Sequence, residues 1–140
     1  MRNKNRATFE DLAVKTAVLW SSRSEDLHSK VGACILNKDG RVLSIGYNGL
    51  TKGMNKGLSF WVNRSERRKY IIHAEINALS FLNRDDEPSL IATTLLPCSS
   101  CAMAIVSRGI KKVIYIKDYE LDPNSKEIFK FYNIEVKKYE

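Results

Sequence analysis

Hydrophobic positions near the start of the chain follow helical spacing. Thr8 followed by Asp11 is typical of a helix N-terminus, because each side chain can bond a free backbone N–H of the first turn. The residues after them supply an apolar stripe that would pack this helix against a core. The stripe consists of Leu12, Val14, Ala17, Val18 and Trp20.

The pattern then changes to strand-like runs. Residues 31–36 and 42–47 are rich in β-formers, and Asn37-Lys38-Asp39-Gly40 lies between them, which predicts a β-hairpin. Residues 48–70 are polar and contain glycines, so we expect a long loop there with room for a short helix. A loop of this length inside a compact domain is usually functional.

The second half of the chain alternates helices and strands. The predicted elements are helices over residues 74–82, 99–107 and 125–131 and strands over residues 90–95, 113–116 and 134–136. Helices between the last three strands favour parallel crossovers, so we expect an α/β fold, a three-layer α/β/α sandwich with a mixed five-stranded sheet. No internal repeat or Pro/Gly-rich linker interrupts the chain, which predicts one domain over residues 1–140.

Composition and charge indicate where the protein is located and what kind of partner it binds. No apolar run approaches the roughly 18 residues of a membrane span, and residues 1–10 lack the apolar stretch of a secretory signal, so we expect a cytoplasmic protein without a membrane partner. The formal net charge of +7 suits a partner that carries phosphate; a nucleotide, a nucleic acid and an acidic protein all qualify. The basic clusters at residues 64–69 and 137–138 each contain a glutamate or have one within two positions, so neither predicts a nucleic-acid patch.

Two short motifs carry candidate metal chemistry. His73-Ala74-Glu75 and Pro97-Cys98-Ser99-Ser100-Cys101 each fall at the start of a predicted helix. His73, Cys98 and Cys101 together offer one imidazole and two thiolates, and three protein ligands with one open position are typical of catalytic zinc. Cys34 lies inside an apolar strand and is expected to be a buried small residue, so no fourth ligand is evident.

Glu75 has a natural role beside such a site. Zinc lowers the pKa of a bound water towards about 7, and a neighbouring carboxylate can take up the proton and deliver it to a leaving amine. The order His-x-Glu followed by Pro-Cys-x-x-Cys is the signature of zinc deaminases. A redox-active Cys pair and a zinc-stabilised binding module without catalysis are the alternatives.

Further motifs along the chain indicate the family that it resembles. Over about residues 9–136 the chain resembles the deoxycytidylate (dCMP) deaminase branch of the cytidine deaminase-like superfamily. The segments that carry the resemblance are Arg23-Ser24-Glu25-Asp26, Val31-Gly32-Ala33-Cys34-Ile35, Gly46-Tyr47-Asn48-Gly49, His73-Ala74-Glu75-Ile76-Asn77-Ala78 and Leu96-Pro97-Cys98-Ser99-Ser100-Cys101-Ala102. It implies hydrolysis of dCMP to dUMP and ammonia, which supplies dUMP for thymidylate synthesis. A tRNA or polynucleotide deaminase, favoured by the net charge, and a deaminase of another cytosine nucleotide remain alternatives.

The resemblance also implies substrate contacts. Asn48 would bind the nucleotide, Arg23 and Ser24 would lie at its sugar-phosphate end, and the Ala74 amide would hold the base carbonyl. An exposed helix-end cation is the alternative for Arg23, and a turn residue is the alternative for Asn48. Tyr119, after the fourth predicted strand, is a candidate for closing over the substrate, with a core or surface position equally open.

The chain departs from the resemblance in places that concern regulation. Thr51 stands where the family often has proline. Some relatives bind a second, structural zinc through additional Cys and His residues, but residues 48–72 contain no cysteine or histidine. We therefore expect one zinc ion per chain. The resemblance implies a homo-oligomer, a hexamer in many members, with dCTP and dTTP as effectors, and Leu58, Phe60 and Trp61 are apolar candidates for an interface.

Overall fold

The computed structural model describes residues 5–140. Residues 1–4, which belong to the segment at residues 1–10 that lacks the features of a secretory signal, lie outside the described part. The elements in this part of the chain are α1 (Phe9–Ser21), β1 (Gly32–Asn37), β2 (Val42–Tyr47), α2 (Leu58–Val62), α3 (Arg64–Arg67), α4 (Ala74–Ser80), β3 (Pro88–Leu95), α5 (Ser99–Ser107), β4 (Lys112–Lys117), α6 (Ser125–Phe131) and β5 (Glu135–Lys138). None of these helices combines the length and the apolar character that a membrane crossing requires.

The strands form one mixed sheet in the order β2-β1-β3-β4-β5. β1 pairs antiparallel with both β2 and β3, whereas β3, β4 and β5 run parallel. Helix α5 connects β3 to β4, and helix α6 connects β4 to β5. The predicted mixed five-stranded sheet is therefore confirmed, together with the predicted parallel arrangement of its last three strands.

Helices cover both faces of the sheet because the strand residues alternate between two apolar clusters. Ala33 and Ile35 of β1 belong to the apolar cluster that also contains residues of α4, α5 and α6. Cys34 and Leu36, on the opposite face of the sheet, belong to the cluster that contains residues of α1. The three predicted layers are thus present, with α1 alone in the first layer and the helices that carry the metal motifs in the third.

Helix α1 begins as predicted but packs through a narrower face. Its capping box is formed, with the Thr8 hydroxyl accepting from the Asp11 N–H and the Asp11 carboxylate accepting from the Thr8 N–H, both at 3.0 Å. The predicted apolar stripe was wrong in part, since its bulkier members are exposed. The exposed members are Leu12, Val18 and Trp20.

Close approach explains which residues of α1 are buried. A side chain at Gly32 of β1 would collide with the Ala17 carbonyl, so the helix backbone lies almost against the strand. Small residues permit this approach, and Ala13, Val14 and Ala17 form the buried face. The larger side chains of the predicted stripe therefore remain outside the contact.

The long loop at residues 48–70 contains two short helices, α2 and α3. Gly49 and Ile72 form an isolated antiparallel bridge that fastens the end of this segment to the turn after β2. Of the predicted interface residues, Trp61 is 4% exposed and packs edge-on against Phe60, whereas Leu58 is exposed. Trp61 therefore packs within this chain.

Candidate metal centre and substrate cavity

The metal motifs meet because α4 and α5 begin side by side on one face of the sheet. His73 is the N-cap of α4, and Cys98 is the N-cap of α5. Pro97 follows β3 and stops it, so the chain turns directly into α5. Cys101 lies in the first turn of that helix and is buried.

Helix α4 is held against β2 with little clearance. A Cβ at Gly46 of β2 would meet backbone atoms of α4, among them the Ala78 nitrogen at 2.6 Å. The Asn77 side chain donates to the Tyr47 carbonyl at 2.8 Å, and the Ser44 hydroxyl donates to the Ala78 carbonyl at 2.6 Å. These contacts hold α4, whose N-cap is His73, in place against β2.

The three candidate ligands have the spacing of a tetrahedral zinc site. The Nδ1 of His73 lies 3.5 Å from the Sγ of Cys98 and 3.3 Å from the Sγ of Cys101. Zn–N and Zn–S bonds of ordinary length at a tetrahedral angle place nitrogen and sulfur about 3.5 Å apart. All three ligand atoms lie within 4.8 Å of one another, and no other cluster of this kind occurs among residues 5–140. The donor set and its spacing therefore fit zinc.

The electrostatics of the cluster favour a thiolate. The hydrogen bond from the Cys101 thiol lowers the pKa of Cys98 to about 4, and the same bond raises the pKa of Cys101. The hydrogen bond with Cys98 also raises the pKa of His73. Cys101 and His73 thus hold their protons more tightly than usual, and a metal cation would displace these protons on binding the three groups.

Glu75 lies beside this cluster but outside the ligand set. It occupies the first turn of α4 and is 4% exposed. Burial raises its pKa to about 7, although the neighbouring His73 ring acts in the opposite direction. A carboxyl group with a pKa in this range can both accept and donate a proton near neutral pH.

A cavity of about 720 Å³ opens onto the cluster, and His73, Glu75 and Cys98 form part of its wall. This volume is in the range that holds a small organic ligand. Three of the residues predicted to contact substrate also line it, namely Asn48, Ala74 and Tyr119. Ala74 is the first residue of α4, where backbone N–H groups have no partner within the helix.

The other predicted contacts lie elsewhere. Arg23 is exposed and does not line the cavity. Ser24 is buried behind the cavity wall, where its hydroxyl donates to the Asn48 carbonyl at 2.9 Å. The Asn48 side chain accepts from the Val31 N–H and donates to the Ser29 carbonyl, both at 2.8 Å. Ser24 and Asn48 thus join the segment at residues 24–31 to the turn after β2.

Two features in and around the cavity could not be predicted from local sequence patterns. Arg67 belongs to the basic cluster at residues 64–69, which was not predicted to form a nucleic-acid patch. It is buried, lines the cavity and pairs with Asp26. Asp122 accepts from the Ser99 N–H at 2.8 Å and from the Ser99 hydroxyl at 2.7 Å, so it caps α5 from the loop that carries Tyr119. Asp26 belongs to the Arg23-Ser24-Glu25-Asp26 segment, but nothing in the sequence around it indicates that it pairs with Arg67.

Fold and site together define a deaminase-like zinc protein, and comparison with known proteins supplies the family. Residues 7–117 match the family model described as "Cytidine and deoxycytidylate deaminase zinc-binding region". The match covers most of the chain, including all three ligands and Glu75, and the chain belongs to this family. Zinc, the cofactor predicted from the sequence, is confirmed by this match together with the ligand cluster.

The individual relatives compared below are all described as deoxycytidylate (dCMP) deaminases. The deoxycytidylate deaminase of Homo sapiens is 37% identical over 108 residues, and that of Mus musculus is 38% identical over 108 residues. Each alignment covers 73% of this chain, which spans 61% of the length of either relative. A crystal structure of the dCMP deaminase from the cyanophage S-TIM5, in complex with dCMP and dUMP, superposes with a TM-score of 0.78 at 28% identity, covering 96% of this chain and 98% of that one.

Proposed function

We propose that this protein, acting as one catalytic domain, hydrolyses dCMP to dUMP and ammonia. The observation that carries the proposal is the placement of a buried carboxylate, Glu75, next to a three-ligand zinc cluster at the wall of a nucleotide-sized cavity. The names of the human and mouse relatives and the dCMP and dUMP bound to the phage enzyme support this choice of substrate.

The metal supplies one part of the chemistry. His73, Cys98 and Cys101 would hold zinc, which when bound acts as a Lewis acid that makes water a nucleophile at neutral pH. Three ligands leave one position of a tetrahedron for that water.

Residues of the chain supply the remainder. The Glu75 carboxylate takes a proton from the attacking water and delivers it to the ring nitrogen next to the carbon that bears the amine. After the water oxygen has bonded to that carbon, Glu75 takes the remaining proton of the new hydroxyl group and delivers it to the amine. The C–N bond then breaks, the amine leaves as ammonia, and the former hydroxyl oxygen becomes the carbonyl oxygen of dUMP. The first N–H groups of α4, including that of Ala74, orient the base carbonyl, and Tyr119 covers the base from the opposite loop.

A substrate panel tests the reaction. Zinc-loaded protein is offered dCMP, CMP, deoxycytidine, cytosine and tRNA, and ammonia release is measured. We expect dCMP to give the highest kcat/KM. Turnover of tRNA without turnover of dCMP would overturn the proposal in favour of a polynucleotide deaminase.

Glu75→Gln tests the proton transfer. We expect the variant to retain about one zinc per chain and to lose about 10²- to 10⁴-fold in kcat, the usual contribution of a positioned acid-base group. Glu127→Gln is the matched control, because Glu127 also lies in the first turn of a helix but is exposed on α6. Full activity in Glu75→Gln would show that the carboxylate does not move the protons.

The predictions about other partners extend this proposal. Effector binding is tested by repeating the panel with dCTP and with dTTP, which should raise and lower the activity, respectively. Assembly is tested by light scattering at the assay concentration, where the proposed homo-oligomer, a hexamer by resemblance, gives a mass several times that of the chain.

A further inference from the structure

Arg67 is a buried cation whose guanidinium is only partly satisfied. It is 5% exposed, its Nε donates to Asp26 at 3.4 Å, and its Nη1 has no hydrogen-bond partner among the described residues. Buried donors are nearly always paired, and leaving one unpaired on a charged group is costly. The side chain therefore has binding capacity that its neighbours do not use.

Asp26 fixes Arg67 in place without satisfying its outer nitrogens. The Oδ1 of Asp26 accepts from the backbone N–H groups of His28 and Ser29, at 2.8 and 3.1 Å. Only Oδ2 is directed at Arg67, and the contact is to Nε alone. Because the carboxylate does not form a fork-to-fork pair, the planar guanidinium keeps the geometry that binds a phosphate.

The backbone holds Arg67 at a set position relative to the metal cluster. Its carbonyl accepts from the N–H groups of Tyr70 and Ile71, both at 3.0 Å. Ile72 then exchanges two hydrogen bonds with Gly49, at 3.1 and 2.9 Å, directly before His73. Arg67 thus lines the same cavity as His73 on a backbone that is hydrogen-bonded over most of the intervening residues.

The surrounding charges favour an anion. Arg64 and Arg68 line the cavity with Arg67, and Lys117 of β4 also contributes to its wall. Of the carboxylates in the wall, Asp26 is paired with Arg67, and Asp118 is paired with Lys126 and Lys138. Glu75 in α4 and the exposed Glu120 complete the set, and neither belongs to α3. The α3 side of the wall therefore carries excess positive charge.

We infer that Arg67, assisted by Arg68, binds the 5′-phosphate of the nucleotide and makes the site select a nucleotide over a nucleoside. This inference rests on the proposed function, because it names the residues by which that site recognises its substrate. It places phosphate recognition on α3 instead of at Arg23, which lies outside the cavity.

The first test compares kcat/KM for dCMP with kcat/KM for deoxycytidine. Because Arg67→Gln alone leaves the Asp26 carboxylate buried without its cation, the informative variant is the double change Asp26→Asn with Arg67→Gln. We expect the ratio of the two kcat/KM values to fall by about 10²-fold, the loss of one strong or two moderate charge-assisted hydrogen bonds. A purely structural defect would lower both values together and overturn the inference.

Arg68→Gln repeats the test at an exposed position, where folding is not at risk. We expect it to lower the same ratio several-fold. Arg84→Gln is the matched control, since Arg84 is exposed and lies outside the cavity, and its ratio should equal that of the wild type.

The second test separates this inference from the proposed reaction. Calorimetry measures binding of dUMP and of deoxyuridine to the zinc-loaded protein, which requires no turnover. A wild type that prefers dUMP, with the preference lost in the double variant, supports the inference even if no deamination is detected. Unchanged dUMP binding in the double variant, or loss of the preference in Arg23→Gln but not in Arg68→Gln, overturns it.

Discussion

The three cysteines of the chain occupy different environments, so their substitution should have different effects. Cys98 is half-buried at the N-terminus of α5, where its neighbours favour the thiolate. Cys34 is buried in β1, and burial raises the pKa of its thiol to about 11. A thiol in that environment is not a metal ligand at neutral pH.

We therefore expect Cys98→Ser to lose most of the bound zinc, because a hydroxyl is a poor substitute for a thiolate ligand. Cys34→Ala, the matched control, should retain about one zinc per chain while losing a little stability. Metal content by atomic spectroscopy after dialysis checks both variants. Equal zinc content in Cys98→Ser and the wild type would exclude Cys98 as a ligand.

At the residue scale, the sequence was informative where the chemistry is local. His73 and Glu75 are two positions apart and Cys98 and Cys101 are three apart, so short motifs predicted the cluster that the structure brings together. Arg67 and Asp26 are 41 positions apart, and their pairing depends on how the loop folds back. An arginine within a basic cluster resembles a solvated surface residue, and nothing in its immediate neighbours indicates burial.

At the element scale, the clearance between α4 and β2 determines where the metal ligand lies. Gly46→Ala would place a methyl group against the Ala74 carbonyl and the Ala78 nitrogen, both of them backbone atoms that cannot rotate away. We expect the helix to shift outwards, at a cost of about 1–3 kcal/mol or more in unfolding free energy, and to lose zinc affinity because His73 moves with it.

Chemical denaturation and zinc titration measure the two effects of Gly46→Ala. Gly57→Ala serves as its control, because a Cβ at Gly57 meets open space and the backbone there has an ordinary negative φ. If Gly46→Ala bound zinc as tightly as Gly57→Ala, the packing of α4 on β2 would not position the ligand.

Most helices and strands could be predicted because the sequence patterns that specify them are local. Which residues of a helix are buried depends on its neighbours in the fold, and this could not be predicted. The helices at residues 99–107 and 125–131 have the predicted bounds. Each is followed by a residue with positive φ, Gly109 after the first and Asn133 after the second, which ends the helix locally. Helix α1 was predicted with too wide a buried face, because spacing alone does not reveal that Gly32 draws the helix close enough to exclude large side chains. The helices α2 and α3 are short and were expected only as part of a loop.

At the scale of the whole molecule, the metal links two helices that reach the site from separate crossovers. His73 precedes α4 and the cysteines begin α5, and β3 lies between the two helices in the chain. A bound metal therefore stabilises the arrangement of both helices on the sheet. Because zinc binds the folded cluster, it should raise the unfolding free energy by about 2.7 kcal/mol at a free concentration one hundred times Kd.

The chemistry of the three ligands determines how the stabilisation of the fold by zinc changes with pH. Zinc binds thiolates and neutral imidazole, so protons compete with it for Cys98, Cys101 and His73. The difference in Tm between zinc-loaded and chelator-treated protein should be largest near about pH 8 and should decrease towards about pH 5, as protons occupy the ligands. Cys98→Ser should show a small difference throughout, since it lacks a ligand. A difference in Tm that stayed constant over this range would indicate that zinc stabilises the fold through groups other than these three.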